Sequence, residues 1–165
     1  MRPPARKTSP PSLGASGAEP PPAAFRLPVR VYYQDTDAGG VVFHGRYLDF
    51  FERARTEWLR QLGFDVRQLA DRDGLLFIVR ELSVSYMRPA QIDDLLTVTA
   101  AIENLGRVQF TLDQRVLRGT DVLVQGTVNL ACVSVAGLRP MRVPQRMHAV
   151  FARSAAHELM HEEGA

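Results

Sequence analysis

Cysteine is almost absent from this 165-residue chain: Cys132 is the only one. That excludes an intrachain disulfide and fits a reducing compartment. No apolar run approaches the roughly 20 residues that a membrane helix needs, so no membrane span is expected. The basic start (Arg2, Arg6, Lys7) runs into Pro, Ser, Ala and Gly instead of an apolar core, and does not read as a secretory signal. Neither sign of charge dominates. Twenty basic residues against 18 acidic ones leave +2 at pH 7. A chain this close to neutral is not built for nucleic acid or an anionic membrane, and neither is expected as a partner. What the chain has is apolar mass, 45% of its residues, enough for a substantial core in one domain.

Proline is concentrated at one end. Pro3, Pro4, Pro10, Pro11 and Pro20 to Pro22 place seven of the eleven prolines in residues 1–24. With almost no large apolar side chains beside them, these residues read as a disordered tail. The folded domain is expected over 25–152. Residues 153–165, with His157, Glu158, His161, Glu162 and Glu163, read as a polar, frayed end.

Within the domain, Val29–Gln34 is β-branched and aromatic and predicts a first strand. From Tyr47 to Leu62 the period changes. Tyr47, Phe50, Phe51, Ala54, Trp58 and Leu62 recur at steps of three and four, with Asp49, Arg53, Thr56 and Arg60 opposite, which predicts one long helix with an aromatic face. Gly63 suits its end. Val66–Ala70 predicts a short second helix. Strands are expected at about Leu76–Met87, Leu95–Asn104, Val108–Arg118 and Val122–Val135, separated by turn-forming residues. Gln145–Phe151 predicts a last short helix. The order is strand, long helix, four strands. It predicts an α+β fold in which a curved antiparallel meander of about five strands wraps the aromatic helix. A sheet of this kind leaves edges, so a homodimer is expected.

The densest chemistry lies between the first strand and the long helix, in Asp35-Thr-Asp-Ala-Gly-Gly-Val-Val-Phe-His44. A strand-to-helix junction can set a carboxylate beside N–H groups that lack helical partners and favour negative charge. A carboxylate for proton transfer or attack next to an oxyanion pocket is the equipment of carbonyl hydrolysis. Read locally, Asp35 or Asp37 equally suits an Asx-turn or a cap. Gly39 and Gly40 let the backbone turn tightly under either reading. On the helix, Asp49, Glu52 and Glu57 are rival carboxylates, Asp49 on the solvent face and the two Glu on the flanks of the apolar stripe. Arg55 falls in the apolar sector, where a structural ion pair with a nearby acid is expected. Phe43, Tyr47, Phe50 and Phe51 suit an acyl channel or ordinary core. Cys132, in an alternating apolar strand, reads as a core thiol rather than a nucleophile. Asp35, Asp37 and His44 lack a third ligand of fixed spacing, and His148, His157 and His161 are too dispersed, so no metal is expected.

Three segments then carry a resemblance: Val29–His44, the helix run Tyr47-Leu-Asp-Phe-Phe-Glu-Arg-Ala-Arg-Thr-Glu57, and Arg88-Pro-Ala-Gln-Ile-Asp-Asp94. Together with the element order, they resemble the hotdog-fold thioesterases over roughly residues 27–151. The similarity is strongest to the YbgC-type acyl-CoA thioesterases associated with the Tol–Pal system and related to 4-hydroxybenzoyl-CoA thioesterase. The resemblance implies Asp37 as the catalytic carboxylate, as general base or as nucleophile through an anhydride, and His44 at the second active-site position. The N–H groups at the helix start near His44 would hold the carbonyl oxygen, and Gly39, Gly40, Val41 and Tyr47 would meet substrate. It further implies acyl-CoA or acyl-carrier-protein thioesters as substrates, no cofactor, dimers or tetramers with sites between subunits, and a cytoplasmic location. Arg80, Arg88, Arg107 and Arg142 are candidates for the coenzyme A phosphates by residue type alone. Two other functions fit parts of the pattern: a hotdog hydratase or dehydratase, and a non-catalytic module binding acyl-carrier protein or the Tol–Pal complex.

Overall fold

The aromatic stripe closes the fold. In the computed structural model, which describes residues 24–162 and side chains as far as 156, helix α1 spans Arg46–Gln61. It buries Tyr47, Phe50, Phe51, Ala54, Trp58 and Leu59. Each large side chain of that stripe contributes about 1.5–3 kcal/mol by leaving water. Sums of that kind exceed helix propensity, so packing decides where α1 lies. Asp49, Arg53 and Arg60 face solvent, as the periodicity predicts. The residues of the proposed N-terminal tail before Ala24, and those after Glu162, lie outside the described residues.

The sheet has five antiparallel strands in the order β1-β3-β4-β5-β2. They are β1 (Phe25–Arg30), β2 (Leu75–Tyr86), β3 (Leu95–Leu105), β4 (Gln109–Arg118) and β5 (Asp121–Ser134). Only β3, β4 and β5 form the expected meander. Strand β2 lies against β5, register Leu75 to Ser134 through Tyr86 to Val124, at the edge opposite β1. A simple meander is therefore wrong for β2. The connection over 87–94 has to cross the end of the sheet, with Met87 N–H and Arg88 N–H both donating to Leu123 O at 2.9 and 3.1 Å. It ends where Val31 N–H donates to Asp94 O and Asp93 N–H to Val31 O, both at 3.0 Å.

Other differences are local. Strand β1 sits four residues earlier than the Val29–Gln34 reading and contains Pro28. A proline is tolerated there because β1 is an edge strand with only β3 beside it. Tyr33–Asp35 winds into a 3-10 turn instead of extending, because the Asp35 carboxylate accepts the Tyr32 N–H at 2.9 Å. Helix α2 spans Val66–Asp73, longer than expected, capped by Asp65 and ended by Gly74 in the left-handed region. Helix α3 spans Gln145–Glu162, so residues 153–162 continue a helix across the proposed boundary at 152 instead of fraying. No proline or glycine interrupts 145–162. Phe151 and Met147 anchor its first half against Trp58, Phe64 and Phe110. No helix among the described residues is long and apolar enough to cross a membrane.

One glycine sets how close α1 approaches. At Gly126, mid-β5, an added Cβ would lie 2.6 Å from Phe51 Cε2 and 3.2 Å from Ser83 O. Gly126→Ala should therefore cost about 1–3 kcal/mol by overpacking a fully buried ring. Denaturant unfolding checks this, and an unchanged midpoint would mean that Phe51 has room to move.

Candidate active site

The Asp35–His44 segment folds into a miniature hairpin. Its arms are joined by the Thr36–Val42 bridge, and Phe43 N–H donates to Asp35 O at 2.9 Å. At the tip, Asp37 N–H donates to Val41 O at 2.9 Å and Gly40 N–H to Asp37 O at 3.0 Å. Gly40 has φ of 74°, which an L side chain rarely adopts. The hairpin is fixed to the 87–94 connection by Val42 N–H to Ala90 O at 2.9 Å and by a Val41–Gln91 bridge.

The two aspartates do different work. Asp35 is 2% exposed, caps the 3-10 turn and lies 3.6 Å from Arg46 Nε, so it is structural. Asp37 is exposed at the tip. Its Oδ1 accepts the Gly39 N–H at 2.8 Å, an Asx-turn, while Oδ2 has no donor among the described residues. Local geometry thus uses one oxygen of Asp37 and leaves the other open. A Cβ on Gly39 would lie 3.1 Å from that same Oδ1, so a side chain there would press on the Asp37 carboxylate.

His44 is exposed on the other arm. Its ring lies against Phe43 at 4.3 Å and edge-on to Tyr86 at 6.4 Å, with no hydrogen bond to the ring among the described residues. Helix α1 begins at once, and no side chain caps it. The N–H groups of His44 and Gly45 have no acceptor among the described residues. The structure therefore brings the exposed carboxylate of Asp37 and an uncapped helix start onto two arms of one hairpin.

Tyr47 differs from the exposed Gly39 and Gly40 in taking the core place that the helix periodicity offers it. Its ring is buried with Phe50 and Phe51, and its hydroxyl accepts the Ala90 N–H at 3.1 Å. Burial pushes its pKa up. The inward side of α1 claims this ring, and its hydroxyl braces the 87–94 connection. Of the aromatic quartet only Phe43 is exposed. Arg55 departs from the expected ion pair with an acid. Its partner is neutral: Nη1 donates to Gln114 Oε1 at 3.0 Å, and Gln114 in turn donates to Phe51 O at 3.0 Å. No carboxylate among the described residues lies within salt-bridge distance of Arg55, and burial lowers its pKa. Gln114 is in phase with Phe110, Leu112 and Val116 on the buried face of β4, and sequence reasoning missed it because its side chain is polar.

The rival groups have partners of their own on α1. Glu57 pairs with Arg60, and Glu52 accepts from Thr56 at 3.4 Å. Cys132 is buried, and its thiol is pushed up to about 11 by desolvation, against any nucleophilic role. Arg88 pairs with Asp121 at 3.1 Å, while Arg107 and Arg142 line an open recess with His148. A separate cavity of about 240 Å³ lies between α1, α2 and β2, lined by Arg55, Trp58, Leu69, Leu75, Phe77 and Phe110 among others. It opens on the C-terminal half of α1, away from Asp37.

Residues 39–125 match the family model described as the thioesterase superfamily. This chain belongs to the thioesterase superfamily. The match starts two residues after Asp37 and takes in His44, α1 and most of the sheet. The thioesterase is 45% identical over 127 residues to the acyl-CoA thioesterase YbgC of Haemophilus influenzae, covering 77% of this chain and 93% of that one. It is 40% identical over 129 residues to the acyl-CoA thioester hydrolase YbgC of Escherichia coli O157:H7, covering 77% and 95%. Among solved structures it superposes on a probable thioesterase from Bartonella henselae with a TM-score of 0.71 and 43% identity, covering 73% and 99%. The five-stranded antiparallel sheet around α1 is the hotdog fold, and the thioesterase is a hydrolase of thioesters.

The Tyr47–Ala90 bond allows a direct check on the scaffold. Tyr47→Phe strips a buried N–H of its acceptor, which costs about 1–3 kcal/mol. Thermal unfolding should show a lower Tm, and an unchanged Tm would mean that Ala90 finds another acceptor.

Proposed function

We propose that this thioesterase hydrolyses acyl-CoA thioesters, with Asp37 as general base or nucleophile and the His44–Gly45 N–H groups as the oxyanion site. One observation carries the reading. The exposed Asp37 carboxylate, with Oδ2 open, shares a hairpin with two N–H donors that no side chain caps. Hydrolysis of a thioester needs an attacking oxygen and stabilisation of the carbonyl oxygen as it gains charge. Coenzyme A departs readily as a thiolate, so a general acid is the least critical part. Gly39, Gly40 and Val41 form the turn along which the substrate backbone would lie, and His44 would hold Asp37 or water in place. A single buried free thiol and a coenzyme A substrate suit a cytoplasmic setting.

The same reading includes a homodimer that completes the site. Strand β2 is a 12-residue edge paired only with β5, and it exposes Ile78, Val79, Leu82 and Tyr86. An uncovered edge of that length and composition calls for a partner. Isologous antiparallel pairing of two β2 strands would set the Leu75 end of one beside the Tyr86 end of the other. The partner's cavity, lined in part by Leu75 and Phe77, would then adjoin the Asp37 hairpin and receive the acyl group.

Thiol release from a panel of acyl-CoAs tests the chemistry. Asp37→Asn should lower kcat about a hundredfold or more with Tm retained. Wild-type turnover in that variant would move the role to Glu52 or Glu57. Binding of acyl-CoA and acyl-carrier thioesters without thiol release would overturn the enzymatic reading. For the dimer, Val79→Glu should produce monomers in sedimentation and lose activity in parallel, whereas a fully active monomer would refute a shared site.

A further inference from the structure

Tyr86 ends β2 and reaches across to the start of α1, where its hydroxyl donates to His44 O at 3.1 Å. That carbonyl belongs to the same peptide unit as the Gly45 N–H. In a trans peptide the C=O and the following N–H point to opposite sides. Holding the carbonyl from one side therefore aims the Gly45 N–H at the other. A hydrogen bond accepted by the carbonyl also polarises the amide and strengthens its N–H as a donor.

The hold comes from rigid parts. Met87 and Arg88 N–H groups both donate to Leu123 O, which fixes the end of β2 on β5. The Tyr86 ring lies 5.8 Å from that of Tyr47, itself fixed by Ala90. At Gly45 a Cβ would lie 2.9 Å from Phe43 Cε1, so a side-chain cap at this position meets the Phe43 ring. The helix start is thus left uncapped on its N–H side and fastened on its carbonyl side.

We propose that Tyr86 is a positioning residue for thioester hydrolysis: it fixes and polarises the His44–Gly45 peptide so that the Gly45 N–H meets the carbonyl oxygen of the substrate. The role rests on the oxyanion site placed at the start of α1 above. Tyr86 touches no reacting atom, and its effect passes entirely through the peptide it holds.

Tyr86→Phe removes the hydroxyl and keeps the ring. Deleting a direct oxyanion donor costs a hundredfold or more in kcat, so loosening one should cost about tenfold, with KM and Tm nearly unchanged. A purely structural bond would not move the second readout, the infrared carbonyl stretch of an acyl-CoA bound to the Asp37→Asn protein. The stretch should lie below its value in water, and Asp37→Asn/Tyr86→Phe should lose part of that shift. An equal shift in both proteins, or wild-type kcat in Tyr86→Phe, would overturn the role of Tyr86 alone. No shift in Asp37→Asn itself would overturn the oxyanion site and the role of Tyr86 with it.

Discussion

The seating of α1 in the concave face of the sheet is the constraint on which the rest depends. Phe50, Phe51 and Ala54 are fully buried, and Tyr47 and Trp58 nearly so. Because this stripe has one low-energy position, both ends of the helix are placed at once. Its C-terminal end meets Phe110 and Phe151, which draws α3 onto the sheet. Its N-terminal end is delivered to the hairpin and to the end of β2. Gly126 sets the depth of that seat, since a larger residue under Phe51 would lift the whole helix and its N-terminus with it.

The candidate site is exposed and rigid together, and the hydrogen bonds explain how. Asp37 and His44 face water, yet the hairpin that carries them is tied at several points: between its arms through Asp35 and Phe43, to the connection through Val42 and Ala90, and to β2 through Tyr86. Arg46 adds a tie on the solvent side, reaching Gln34 O at 3.1 Å and Asp49 at 2.8 Å. Preorganised donors act without reorganising during reaction, and a tied loop supplies that condition. The two aspartates divide the same way: the buried one holds the loop and the exposed one is left with an unused oxygen.

The parts legible in the sequence are those fixed by local periodicity and turn chemistry. The three- and four-residue spacing placed α1 within a residue at each end, and the last three strands came out nearly to the residue. What was not legible depends on neighbours distant in sequence. Pro28 argues against a strand until β1 proves to be an edge. The position of β2 beside β5 depends on how the 87–94 connection crosses the sheet, which no local pattern encodes. Arg55 in an apolar sector signals a buried partner, but only the fold names it as the Gln114 amide. Tyr86 reads as the aromatic end of a strand until its hydroxyl is seen on His44 O.

The separation between hairpin and cavity bears on why this fold would work as a pair. The proposed oxyanion site lies at the N-terminus of α1, while the 240 Å³ cavity lies along its C-terminal half. At 1.5 Å per residue, Gly45 and Arg55 are about 15 Å apart along the helix. One chain alone leaves the carboxylate in open water, where oxyanion stabilisation is weak. A two-fold partner across β2 would cover the hairpin and bring its own cavity alongside, excluding water and receiving the acyl group in a single contact. On that argument, the exposed apolar edge of β2 and the uncapped start of α1 are two halves of one requirement.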